Sequence, residues 1–215
     1  MLKNPCFNLS SADLSALLCS RICHDIISPV GAINNGLELL DEDGIEDEAM
    51  QLIRLSTVNA ITRLKFSRLA FGHPGYNNTT IELSEIKDII NDFSAIDNKV
   101  KVYWSLGHVV VSRQNAKLLL NLFMIAYISL PKGGDLKISI NHSVDESIFS
   151  LKINSDFVRF PEKFIRIMSG DMDFQIDSYD VQFYYTSLLA HENDVELSYK
   201  IIDDSSAVFF ATIKN

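Results

Sequence analysis

The sequence predicts an α+β protein in which an N-terminal helical hairpin forms a dimeric four-helix bundle and a C-terminal α/β two-layer sandwich follows it. Three observations carry this expectation. Two long stretches of helical period flank Asp41-Glu42-Asp43-Gly44, and alternating strand patterns begin only beyond the turn-forming cluster Gly72-His73-Pro74-Gly75-Tyr76-Asn77-Asn78. The apolar residues of the two helices also exceed what one hairpin contact can cover.

The first helix starts after Ser10 or Ser11, either of which can cap its free N–H groups, and runs to about Leu40. Cys19, Ile22, Ile26, Val30, Ile33, Leu37 and Leu40 recur at three- and four-residue spacing and form one stripe, a bundle seam. The second helix extends from about Glu46 to Phe71 and stops at Gly72, with Pro74 just beyond. Its Leu52, Ile53, Leu55, Val58, Ile61, Leu64 and Leu69 spread over more than one face. Pairing two hairpins would cover them, so a homodimer is expected; the alternative is a hairpin folded against the rest of its own chain. The two units would span residues 1–72 and 79–215.

Past the boundary, Ser84 to about Asn98 reads as a helix, and Val100–Trp104 and Val109–Val111 as short strands. Arg113–Leu130 is a strongly apolar helix stopped by Pro131 and Gly133-Gly134. Leu136, Ile138 and Ile140, then Phe149, Leu151 and Ile153, alternate with polar residues as the strands of a hairpin turning at Ser143-Val144-Asp145-Glu146. A short helix over Pro161–Met168, a longer one over Val181–His191, and strands over Val195–Ile201 and Ala207–Ile213 complete the pattern.

Composition narrows the function. With 47% hydrophobic and 22% charged residues the chain can offset its ordering entropy by burial, which excludes extended disorder. A net charge of -9 repels phosphates and anionic lipid, so neither nucleic acid nor membrane is an expected partner. No apolar run is read as approaching the roughly 20 residues of a membrane span, and the N-terminus lacks the order of a signal peptide. A cytoplasmic protein is expected. The three cysteines are an odd number, and Cys19 and Cys23 lie four apart within a helix, which argues against a disulfide framework. A metal on Cys19, Cys23 and His24 would want further ligands that nothing nearby supplies, so no metal site is expected.

The chemistry lies in Arg21 to Gly31. His24 sits roughly 160° around the helix from the seam and points outward, among Leu17, Ser20, Ile27, Ser28, Gly31 and Asn35. Small residues at 20, 28 and 31 leave the imidazole clear for a bulky partner, and an accessible imidazole can carry a transferred group. A lone His on an outer helix face is commonly only solvated, but Asp25 beside it can hold the distal ring proton while the other nitrogen attacks. Pro29 removes a backbone bond one turn away, as either a functional kink or a bend that improves packing. Leu17, Ile27 and Phe66 form the expected docking patch, with Arg21 and Arg63 either steering an acidic partner or simply solvated.

His24-Asp25 with Ser28-Pro29 resembles the H-box of sensor histidine kinases. The wider run Leu17 to Leu40, with Arg63–Gly72, Lys117–Phe123 and Val181–Tyr185, resembles the ChpT-type histidine phosphotransferases of alphaproteobacterial phosphorelays. The resemblance implies a phosphorylated His in a dimeric bundle and a C-terminal unit shaped like a histidine kinase ATPase domain. Its ATP features are missing: Ile125 stands where a kinase has its magnesium-holding Asn, Ile153–Val158 has no glycine, and no Gly-rich lid precedes Val181. Asn121 then reads as a helix residue rather than a metal ligand. The expected function is a histidine phosphotransferase relaying a phosphoryl group through His24 between receiver domains of a hybrid histidine kinase and of response regulators. No cofactor is bound intrinsically; Mg2+ would sit in the partner's acidic pocket. An adaptor that sequesters a response regulator without chemistry and an ATP-dependent histidine kinase are the rival readings.

Overall fold

The computed structural model describes residues 7–40, 42, 45–72, 80–105 and 110–214. Asp41, Asp43 and Gly44 of the expected hairpin turn, His73 to Asn78 of the expected boundary, and Val109 lie outside the described residues. Helix α1 spans Ser11–Leu39 and is capped by Ser10, whose Oγ accepts from the Asp13 N–H at 3.1 Å. Pro29 is inside the helix and buried. Lacking an N–H, it leaves the Asp25 carbonyl without its helical partner, so the backbone ladder is interrupted beside His24.

Helix α2 (Glu46–Phe71) packs along α1. The approach is close because α1 contributes Gly36: a Cβ there would lie 2.7 Å from Ile53 Cγ1 and 3.3 Å from the Ala49 carbonyl. Small α2 residues, Ala49, Ser56, Ala60 and Ser67, are buried. The seam expected on α1 is therefore divided. Pro29 and Gly36, each one position before a seam residue, are the buried ones; of the seam itself Ile22, Ile26, Ile33 and Leu40 are half-buried, Cys19 is exposed, and Val30 and Leu37 remain 50% and 53% exposed. By length and hydropathy α1 is also long and apolar enough to cross a membrane, at a mean hydropathy of 1.3, which corrects the expectation that no stretch is. The two charges near its middle, Arg21 and Asp25, pair with each other and so interrupt the apolar run only weakly.

The rest of the chain orders as β1 (Thr80–Glu82), α3 (Leu83–Ala95), β2 (Val100–Ser105), β3 (Val110–Ser112), α4 (Arg113–Ile128), β4 (Gly134–His142), β5 (Glu146–Asn154), α5 (Glu162–Met168), α6 (Val181–Glu192), β6 (Val195–Asp203) and β7 (Ser206–Lys214). Strands run β2-β4-β5-β7-β6 in one five-stranded sheet, parallel at β2–β4 and antiparallel elsewhere. The three-residue β1, which pairs antiparallel with β3, is too short to show a period and went unread in the sequence. Helices α3 and α4 end at Ala95 and Ile128, a little earlier than expected. Beyond α3, Asn98 takes φ 51, a left-handed value that a helix cannot continue. Beyond α4, Gly133 takes φ 87, and a Cβ on it would lie 2.4 Å from the Lys99 carbonyl.

Helix α4 is the centre of the molecule. Every residue from Leu118 to Tyr127 is buried, and the helix packs against α2, α3, α6 and β5. Phe123 and Tyr127 join Phe93 of α3 and Phe66 of α2 in an aromatic cluster with neighbouring ring centroids 4.7–5.9 Å apart. Phe66 is only 2% exposed, so its expected place in a docking patch is corrected: it locks α2 onto α3 and α4. Tyr127 donates to Asp97 at 2.6 Å; burial, reinforced by this bond, raises its phenol well above the ordinary range.

One polar joint sits inside this core. Asn121, fully buried, donates through Nδ2 to the carbonyls of Ala70 (2.9 Å) and Lys117 (2.8 Å) and accepts at Oδ1 from Gln182 Nε2 (2.7 Å). One side chain thus ties α2, α4 and α6 together. Both ends of its amide are engaged, in keeping with a structural role and not with metal ligation.

Candidate functional site

His24 lies midway along α1 on its outer face, with 58% of its side chain exposed. Ser20, Ile27, Ser28, Gly31 and Asn35 are exposed around it, Ile27 at 71%, and nothing lies within 4 Å of where a Gly31 Cβ would stand. The face is open ground, as the spacing predicts. The ring itself does not stand clear, however. Its Nε2 lies 2.7 Å from the hydroxyl of Tyr179, and the two rings meet edge to face at 5.1 Å.

Tyr179 comes from the turn that leads into α6, 155 residues away in sequence, and is itself 53% exposed. That turn is pinned by carboxylates. Asp177 Oδ1 accepts the backbone N–H groups of Tyr179 (2.8 Å) and Asp180 (2.9 Å), which hold the Asp177 carboxyl below its usual range, the Asp180 N–H foremost. The buried Asp180 takes a charge-assisted bond from Lys163 of α5 at 2.5 Å, which raises the lysine's pKa. Sequence reasoning missed Tyr179 because no period or local motif links it to His24.

The remaining expected residues fall into two groups. Asp25 is near His24, but its Oδ1 stands 3.7 Å from Nδ1, too far for a hydrogen bond. Its Oδ2 instead accepts from Arg21 Nε at 2.9 Å. Adjacent helix residues point about 100° apart, which is why the carboxylate sits beside the ring and not on it. Arg21 is correspondingly occupied: its side chain is 13% exposed and its guanidinium lies 5.4 Å from the Tyr179 ring centroid, so it is corrected from a free steering charge to an internal strut. Leu17 is half-buried against the core. Arg63 bonds Asn59 at 2.7 Å and lies over the Phe93 ring, and neither contact brings it to His24.

The arrangement is a partly exposed imidazole on a rigid helix, one ring nitrogen under a phenol and the other facing a carboxylate. Such a group can accept and release an electrophile. Cys19 and Cys23 are free and exposed, and among the described residues no cluster of three His, Cys, Asp or Glu side chains could hold a metal. At the position a kinase would use for magnesium, Ile125 is fully buried.

Comparison with known proteins agrees over nearly the whole chain. The family model of the histidine phosphotransferase C-terminal domain matches residues 83–205. Protein phosphotransferase ChpT of Brucella abortus (strain 2308) is 42% identical over 191 residues, which cover 88% of this chain and 91% of that protein. A solved structure of a bacterial phosphotransferase superposes with a TM-score of 0.87 at 40% identity, covering 97% of this chain and 100% of the other. The chain therefore belongs to the histidine phosphotransferase family.

Proposed function

We propose that this protein relays a phosphoryl group between receiver domains of a phosphorelay, with His24 as the phospho-acceptor. The observation that carries the reading is an exposed His24 on the open face of α1 in a chain of this family. A receiver of a hybrid histidine kinase presents an aspartyl phosphate; a ring nitrogen of His24 forms the new P–N bond as the P–O bond breaks, and the electron pair leaves with the aspartate carboxylate. The aspartate of a response regulator then takes the group by the reverse step. Acyl phosphate and phosphohistidine are both high in energy, so the protein's contribution is chiefly positioning. Asp25 Oδ1, 3.7 Å from Nδ1, lies beside the ring that carries the group. Magnesium belongs to the receiver's acidic pocket in this scheme, and no cofactor is held here.

Residues 1–72 would serve as the dimerisation and phospho-acceptor unit and residues 79–215 as an ATPase-like unit without ATP chemistry. Ile125 offers no oxygen to a hard cation, and the Asn121 amide is engaged by protein groups, which supports a protein that does not use ATP. Exposed Val30 and Leu37 on α1, with Leu55, Val58, Ile61 and Leu64 on α2, are 48–63% accessible in the single chain and support a homodimer built as a four-helix bundle. A cytoplasmic location fits this role, the apolar surplus of α1 being turned to a protein partner.

The deciding assay mixes the protein with a phosphorylated receiver and, separately, with labelled ATP, alongside His24→Ala. Transfer from the receiver that disappears in the variant, with no label taken from ATP, is the expected result. Label acquired from ATP would favour a kinase, and receiver binding without transfer would favour an adaptor.

A further inference from the structure

We propose that Tyr179 is a positioning residue for the reaction: its hydroxyl fixes the tautomer of His24 so that Nε2 is the attacking nitrogen. The inference rests on the phospho-acceptor reading above and extends it to a named atom. Two contacts define the ring. The Tyr179 hydroxyl is 2.7 Å from Nε2, and Asp25 Oδ1 is 3.7 Å from Nδ1. A neutral imidazole carries one proton, and the negative Asp25 oxygen 3.7 Å from Nδ1 favours that proton on Nδ1 over a lone pair there. Nε2 is then the acceptor, and the phenol is its donor. The two neighbours, one from α1 and one from the turn before α6, select the same tautomer.

The tyrosine is held for this task. Asp177 fixes the backbone of its turn, the Asp180–Lys163 pair anchors the turn to α5, and the Arg21 guanidinium lies against its ring while bonding Asp25. Arg21 therefore connects the two groups that flank the imidazole. Because Tyr179 is 53% exposed, its hydroxyl can swing to solvent when a receiver arrives, freeing the Nε2 lone pair on the open side of the helix. The Nε2–P bond forms as the aspartyl P–O bond breaks, the carboxylate departs with the electron pair, and the proton stays on Nδ1 facing Asp25. The hydroxyl can then donate to a phosphoryl oxygen in place of the nitrogen.

The test is Tyr179→Phe in the full chain, which keeps the ring and its contact with Arg21 and removes only the hydroxyl. Long-range 1H–15N spectra of histidine-labelled protein, recorded above the imidazole titration, should show Nε2 unprotonated and Nδ1 protonated in the native protein, and a mixed pattern in the variant. Single-turnover transfer from a phosphorylated receiver should slow about three- to tenfold, the worth of one hydrogen bond to the reacting group, with the receiver concentration at half-maximal rate unchanged. A purely structural role would alter receiver binding or the fold and leave the tautomer alone. Identical nitrogen spectra and a rate within twofold of native would overturn the proposal. Absence of phosphoryl transfer in the native protein would instead sink the phospho-acceptor reading, and the spectra would still report whether Tyr179 sets the tautomer.

Discussion

Replacing Asn121 by aspartate separates a structural joint from a metal ligand, because the two roles predict opposite responses to the same atom change. The substitution Asn121→Asp conserves shape and exchanges Nδ2, which donates to the Ala70 and Lys117 carbonyls at 2.9 and 2.8 Å, for an oxygen. An ionised carboxylate there would face two carbonyl oxygens at a fully buried position. The folded state must therefore keep the introduced carboxyl protonated, lifting its pKa above the roughly 3.9 of an unfolded aspartate; the Gln182 amide that donates to Oδ1 offsets only part of this. Between those two pKa values the folded chain binds more protons than the unfolded one, so stability falls as pH rises, by up to about 1.4 kcal/mol per unit. At about pH 4 the cost should be one orphaned carbonyl, about 1–3 kcal/mol, and by about pH 7 a further 2–4 kcal/mol or so should be lost. Urea unfolding followed by circular dichroism across that range, with Asn121→Ala as a variant whose deficit is independent of pH, measures both parts. A variant that tracks the native protein at every pH, or that gains stability in millimolar magnesium, would refute the joint.

Two further outcomes follow from burial. Phe66→Ala should destabilise the protein by about 3–5 kcal/mol in the same unfolding assay, since it empties the buried end of the aromatic cluster that packs on Phe93 and Phe123; a loss below about 1 kcal/mol would restore Phe66 to the surface. Leu37→Glu combined with Leu55→Glu, at side chains 53% and 63% exposed in the single chain, should convert a dimer into a species of 24.2 kDa by light scattering. The same pair should change the stability of that species by no more than about 1 kcal/mol, and an unchanged mass would argue against the four-helix bundle.

What the sequence made legible was whatever repeats along the chain. The helical periods of α1, α2, α4 and α6 and the alternation of β4, β5 and β7 are set by local burial, and their boundaries fall within a few residues of those read. The outward position of His24 was legible because its small neighbours lie on the same stretch of helix. Phe66 was misread for a physical reason: α2 carries apolar residues on several faces, and period alone does not say which face meets α3 and α4, which meets α1 and which stays open. The joint at Asn121 was half-legible, as a helix position unsuited to metal, but its bonds to Ala70 and Gln182 are 51 and 61 residues away in the chain. Tyr179 had no local signal at all, since its partner is chosen by the docking of α1 against α6, whose other end is held where Leu9 N–H meets the Tyr184 hydroxyl at 3.0 Å.

The acidity of the chain bears on how a partner is recognised at His24. With a net charge of -9, attraction of an acidic receiver would have to come from cations placed locally. Of the two arginines read for that purpose, Arg21 is already paired and Arg63 is held by other groups. Arg21 is neutralised by Asp25 and covered by Tyr179, and Arg63 is turned to Asn59 and Phe93. What the face offers instead is shape and apolar contact: Ile27 is 71% exposed, Gly31 leaves its surroundings empty, and Ser20 and Ser28 keep the approach to the ring low. A receiver that docked there would gain affinity by covering Ile27, and the Tyr179 hydroxyl, moving from Nε2 to a phosphoryl oxygen, would exchange one hydrogen bond for another at little net cost to binding. On the proposal made for Tyr179, the contact that orders the nucleophile is also the one a partner exchanges, which would couple recognition of the partner to exposure of the reacting atom.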